Sequence, residues 1–310
     1  MSLRLHLVKF VYLLLLPRLA QDRGDIVRSR AQLEHISRCR TPPDADRRHE
    51  ILGKVPCTTF TTGTPDPAAI IFYMHGGGHV LGSPATHARM LFRIARACGL
   101  ELVASDHRLA PEAPFPAGYH DVLAAYQALL ASGRGQGRII LMGDSAGGNL
   151  VFALLHTLCA QGRPPLAAVA LSPWTELGST ERPRRRQGRR ELRHVSTIMQ
   201  RLIQAYVPDR PRDDPLISPI HGDFHGAPPV LIQASASEPL HHDAELITAH
   251  LRSFGTAVTL QTWPHAIHVF QALAPWLPEA GQAITQIGYF VRTTISRSAT
   301  PPASQIRHEH

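Results

Sequence analysis

The chain has 310 residues, 44% of them hydrophobic, 18% charged and 6% aromatic, with a formal net charge of +8. This composition supplies enough apolar material for a sizeable core and excludes a disordered chain, whose signature is low hydrophobicity with high charge. The charge is concentrated in one place: residues 181–193 hold seven arginines and two glutamates, +5 in thirteen residues, which leaves +3 elsewhere and argues against a nucleic-acid-binding surface.

At the N-terminus, Arg4 and Lys9 precede the apolar run from Phe10 to Leu16. Seven apolar residues are too few to cross a bilayer, and Pro17-Arg18-Leu19-Ala20 lacks a small-x-small cleavage site. Leu5, Val8, Tyr12, Leu15 and Leu19 recur at helical spacing, which predicts a packed helix. Beyond position 50 the text alternates between short apolar runs and helical patterns. Strands are expected at 69–74, 100–105, 138–142, 166–172, 229–235 and 257–263, with a less defined edge strand near 55–61. A helix should follow Ser83 as N-cap with Pro84 in its first turn, and further helices should occupy 117–131, 148–161 and 281–294. Such alternation implies an α/β fold with a mostly parallel sheet and helices on both faces. Two segments interrupt it, 1–50 and 173–228, both read as helix or loop. They are expected to meet as a cap above the C-terminal edge of the sheet, where ligands bind in such folds. The expected organisation is therefore a cap at 1–50, a catalytic domain at 51–295 with a cap insertion at 173–228, and a disordered tail at 296–310.

Four elements carry chemistry. After the first buried strand stands His75-Gly76-Gly77-Gly78, whose glycines let backbone N–H groups approach a substrate unobstructed. Such donors bind the oxyanion of a tetrahedral intermediate. A phosphate cradle is disfavoured, because no Lys-Ser or Lys-Thr follows. Next comes Gly143-Asp144-Ser145-Ala146-Gly147-Gly148, between an apolar run and a helical pattern. A strand–turn–helix with serine at its apex exposes the hydroxyl as a nucleophile and turns the next amide, that of Ala146, toward the same spot. Beyond the strand at 229–235 lies Glu238, with Asp243 about a turn into the next helix as a rival acid. Last is His268, after the final strand, with His265 as a rival base. Ser145, Glu238 and His268 are thus expected as nucleophile, acid and base, and Gly77, Gly78 and Ala146 as the oxyanion hole.

The order Ser, Glu, His is that of α/β hydrolases. The chain resembles the bacterial hormone-sensitive-lipase family of esterases, with their His-Gly-Gly-Gly and Gly-Asp-Ser-Ala-Gly motifs. The segment from Asp106 to Ala117 is similar to the family's Asp-Tyr-Arg-Leu-Ala-Pro-Glu text, with His107 where tyrosine is usual. The resemblance implies the same triad and oxyanion hole, a helical cap, and cleavage of short-to-medium acyl esters without metal or organic cofactor. The chain departs from that pattern after Ser172-Pro173-Trp174, where the arginine-rich run replaces the usual Ala-Asp-Pro-like text. Rival readings are an amidase or deacetylase on the same triad and a non-catalytic binding protein on a hydrolase scaffold.

Cys39, Cys57, Cys98 and Cys159 form no Cys-x-x-Cys pair, and His241-His242 and the terminal His308-Glu309-His310 lack metal-binding spacing. A cytoplasmic protein is expected, acting on a small-molecule ester and not on nucleic acid. Peripheral membrane contact and a homodimer stay open.

Overall fold

The computed structural model describes residues 2, 4, 26–178 and 189–299. The helix expected at 5–19 and the arginines at 182–186 lie outside the described residues. Helix α1 (Ile26–Ile36) leads into an eight-stranded sheet ordered β1-β2-β4-β3-β5-β6-β7-β8. Its strands are β1 (Ala45–Leu52), β2 (Val55–Thr62), β3 (Ile70–Met74), β4 (Glu101–Ser105), β5 (Ile139–Asp144), β6 (Ala167–Leu171), β7 (Val230–Ser235) and β8 (Val258–Trp263). β2 runs antiparallel to both β1 and β4, and all other pairs are parallel. Helices α2 (Pro84–Cys98), α3 (Ala117–Ala131), α4 (Ala146–Ala160), α5 (Arg189–Tyr206), α6 (His241–Ser253) and α7 (Pro278–Ala299) complete the order.

The central parallel strands β3 and β6 are apolar and buried along their whole length because both faces are covered. On β3 the alternation divides Ile70, Phe72 and Met74 from Ile71 and Tyr73. The first set joins a core with Tyr126 of α3, Phe152 of α4 and Ile247 of α6; the second packs with Leu91 of α2 and Ile287 of α7. No helix among the described residues is long and apolar enough to cross a membrane.

Two expectations need correction. The segment at 1–50, read as helix or loop, ends in a strand: β1 pairs with β2 from Ala45↔Thr62 to Leu52↔Val55 through a turn at Gly53 and Lys54, both at positive φ. Its Asp46, Arg47, Arg48, His49 and Glu50 suit an edge that meets solvent, so it carries no buried-strand signal. Residues 296–299, expected as the start of a disordered tail, instead continue α7 to Ala299. Residues beyond 299 lie outside the described residues.

Helix α2 begins with a reciprocal cap. The Ser83 hydroxyl accepts from the Thr86 amide at 3.3 Å, and the Thr86 hydroxyl accepts from the Ser83 amide at 3.0 Å. The pair satisfies two amides that the helix itself leaves unpaired. Replacing Ser83 by Ala should lower unfolding stability by about 1 kcal/mol, read as a drop in the urea midpoint at unchanged slope.

Candidate active site

Five neighbouring strands, β3, β5, β6, β7 and β8, deliver their C-terminal ends to one edge of the sheet. From β3 comes the glycine loop, from β5 Ser145, from β6 Ser172, from β7 Glu238 and from β8 His268. Ser145 sits between β5 and α4 at φ 52°, ψ −117°, outside the ordinary regions for a side-chain-bearing residue. Its amide is tied to Leu171 O at 2.8 Å and its carbonyl accepts from Trp174 N at 3.1 Å, which hold the turn. The turn needs glycine at 147, where an added Cβ would lie 2.0 Å from Met74 O.

His268 Nε2 lies 2.9 Å from Ser145 Oγ, and its Nδ1 lies 2.5 Å from Glu238 Oε2. The other Glu238 oxygen, Oε1, accepts from Ser172 Oγ at 2.8 Å and from the Ser235 amide at 2.7 Å. Three donors thus fix a carboxylate that is 5% exposed. Ser172 Oγ also accepts from the Val269 amide at 3.3 Å, so one hydroxyl holds both Glu238 and the loop that carries His268. Burial alone would lower the pKa of the His268 imidazole. The hydrogen bond and charge of Glu238, helped by Asp144, outweigh burial and raise it above its ordinary value.

The rival residues lie elsewhere. Asp243 is buried on α6, where its Oδ2 accepts from the Thr175 and Glu176 amides at 3.0 and 3.1 Å and so anchors the segment that follows β6. His265 is exposed at φ 71° on the turn after β8.

Facing Ser145, the loop after β3 turns at Gly77 (φ 119°) and Gly78 (φ 65°). Among the described residues, the amides of Gly77, Gly78 and Ala146 donate to no protein acceptor. The loop is held from beneath by Asp144, the residue before the serine. Its Oδ1 accepts from Gly76 N at 3.0 Å and from Tyr73 Oη at 2.7 Å, and its Oδ2 lies 3.4 Å from His87 Nε2 on α2. Burial pushes the Asp144 carboxyl up, but His87 and Tyr73 outweigh it and hold its pKa below the usual carboxylate value. The His87 imidazole is raised against its own burial by the same contact.

Sequence reasoning missed this support. It also missed the buried imidazoles behind the loop. His107, noted only as a departure from tyrosine, stacks on His75 with centroids 4.3 Å apart and receives or donates at Ser105 Oγ, 3.2 Å away. Burial pushes both His79 and His107 down to about 3 and His75 well below its ordinary value, so these three are neutral at pH 7. The available signal was position: His75 opens the glycine motif, His79 directly follows it, and His107 lies in the Asp106–Ala117 segment.

A family model described as the alpha/beta hydrolase fold matches residues 71–272. The chain is 39% identical over 224 residues to an acetyl-hydrolase of Streptomyces hygroscopicus, covering 72% of this chain and 75% of that one. It is 31% identical over 251 residues to the carboxylesterase/phospholipase LipF of Mycobacterium tuberculosis, covering 77% of this chain and 66% of that one. The crystal structure of an esterase from the bacterial hormone-sensitive lipase family superposes with a TM-score of 0.85 at 34% identity, over 95% of this chain and 99% of that one. Sheet order, the serine-bearing turn and these likenesses agree, and the chain belongs to the α/β-hydrolase fold family, as a carboxylic ester hydrolase of the hormone-sensitive-lipase type.

Proposed function

We propose that Ser145, His268 and Glu238 form the catalytic triad of this ester hydrolase, with the amides of Gly77, Gly78 and Ala146 as its oxyanion hole. One observation carries the reading: an unbroken relay from Glu238 through His268 to Ser145 Oγ that stands opposite unengaged backbone donors. Ser145 Oγ attacks the ester carbonyl as His268 Nε2 takes its proton. The imidazolium is stabilised by the Glu238 carboxylate. The carbonyl oxygen gains charge as the carbon becomes tetrahedral, and the three amides meet that charge without reorganising. His268 then returns the proton to the leaving alkoxide, leaving an acyl-enzyme and the free alcohol. Water repeats the sequence on the acyl group and releases the acid.

Short-to-medium acyl esters are the substrates we propose, a reading supported by the acetyl-hydrolase likeness. The organisation we propose keeps α1 and α5 as the described parts of a cap over a catalytic domain that begins near β1. Arg30 of α1 supports this, since it donates to Val80 O at 2.7 Å and to Ala110 O at 2.6 Å beside the glycine loop.

A fluorophosphonate should label Ser145 and no other residue, and Ser145→Ala should abolish both labelling and hydrolysis of p-nitrophenyl acetate; an active Ser145→Ala enzyme would sink the reading. The two acids separate cleanly in kcat. Glu238→Gln should lower it by roughly a hundredfold or more, while Asp243→Asn, whose parent accepts from the Thr175 and Glu176 amides, should stay within a few-fold of wild type.

The pH profile gives an independent check. His268 works as base only when neutral, and its pKa is raised, so kcat/KM must rise with pH through a limb centred above the ordinary histidine value of 6.5. Glu238→Gln removes the charge that raises it, and the limb should move to lower pH.

A further inference from the structure

We propose that Tyr206, the last residue of α5, is a positioning residue that holds the Gly77-Gly78 amides in their donating orientation by stacking on His79. This deepens the oxyanion-hole reading above and rests on it.

His79 directly follows Gly78 and stands at φ 60°, an unfavourable backbone for any residue with a Cβ. Something outside the loop must keep it there. The Tyr206 ring lies flat on the His79 imidazole, centroids 3.7 Å apart and planes within 3°. One turn earlier on α5, Leu202 covers Gly78 so closely that a Cβ at 78 would sit 2.6 Å from Leu202 Cδ1. The end of α5 is itself held, since Tyr206 O accepts from Phe115 N at 2.9 Å and the two rings meet edge to face. The His79 carbonyl accepts from Ala110 N at 2.9 Å, which anchors the loop from the opposite side.

The hydroxyl does not explain why a tyrosine stands here. Tyr206 is 2% exposed and its Oη has no hydrogen-bond partner among the described residues. A buried hydroxyl without a partner is a cost, so the contribution lies in the ring face. His79 Nε2 is likewise buried without a partner, and the ring is neutral at pH 7, so the contact is one of two flat uncharged rings. The ionisable groups around it are His75 and His107 behind the loop, Asp214 near Tyr206, and Arg30, whose guanidinium is engaged by Glu112 and the Val80 and Ala110 carbonyls.

The test uses the full chain and three variants: Tyr206→Phe, Tyr206→Leu and His79→Asn, the last because asparagine tolerates the left-handed backbone but cannot stack. Each is measured for kcat and KM on p-nitrophenyl acetate and for Ki of an aryl trifluoromethyl ketone, whose serine adduct places an oxyanion in the hole. Tyr206→Phe should stay within about twofold of wild type, because the stack survives. Tyr206→Leu and His79→Asn should lose about tenfold or more in kcat with little change in KM, in keeping with the sensitivity of rate to misplaced groups. Their Ki for the ketone should rise by the factor by which kcat/KM falls. A folded Tyr206→Leu enzyme with wild-type kcat, or a kcat loss without a matching rise in Ki, overturns the proposal; if the leucine variant does not fold, His79→Asn decides by the same criteria. Fluorophosphonate labelling separates the two levels. Wild type unlabelled at Ser145 overturns triad and positioning together, whereas labelled wild type with unaffected stacking variants overturns the positioning role alone.

Discussion

The carboxylate of Asp144 is the constraint on which the site depends. It precedes Ser145 in the chain, yet its side chain binds the backbone of Gly76 in the opposite loop. One residue thereby ties the end of β5, which leads into Ser145, to the end of β3, which leads into the glycine loop. A buried carboxylate is tolerable only when paired and fully hydrogen-bonded. Tyr73 and His87 supply the remaining contacts from the strand beneath and the helix behind. The cap at Ser83 therefore has a consequence beyond helix stability, because it sets where α2 begins and so where His87, four residues on, meets Asp144. His87 Nδ1 lies 3.0 Å from Ser83 O and 2.8 Å from Thr86 Oγ1, in the same first turn.

A second consequence concerns charge. Four imidazoles crowd behind the glycine loop, and a positive charge on each would make the loop repel itself. His75, His79 and His107 avoid this by staying neutral, forced down by burial and by one another. Only His87, with a carboxylate beside it, is pushed toward the charged form. Asp144 and His87 each favour the other's charged form, and their contact braces the glycine loop from below.

Much of this was legible in the sequence, and the reason is local. Buried parallel strands read as apolar runs, so β3 to β8 were visible with boundaries shifted by a residue or two. Glycine-rich text after such a strand can only be a tight turn at the C-terminal edge, which brought the glycine loop and Ser145 into view. Glu238 could be preferred to Asp243 because position relative to a strand end predicts direction: the first lies in the loop and the second has turned away with the helix. What stayed hidden depends on partners distant in sequence. Nothing in residues 45–52 announces a strand, since an exposed, charged edge strand lacks the apolar alternation that marks buried ones. Tyr206 and His79 are 127 positions apart, and no spacing rule joins them. The dual grip of Ser172 on Glu238 and on the loop of His268 is of the same kind.

Backbone strain marks the same place. Non-glycine residues at positive φ among the described residues include His79, Ser145, Ser172, His265 and Val269, all in loops at the C-terminal edge of the sheet. Each such conformation costs on the order of 1–3 kcal/mol and persists only when its surroundings leave no alternative. Here the surroundings are identifiable. Ser145 is pinned by Leu171 and Trp174, Ser172 by Gln233 and Glu238, His79 by Tyr206 and Ala110, and Val269 by Ser172. The sheet's two apolar faces supply the free energy that these loops consume. That division of labour explains why this edge can be built almost wholly from turns: His79, Ser145, Ser172 and Val269 are each held by a neighbour that the packed sheet and helices keep in place.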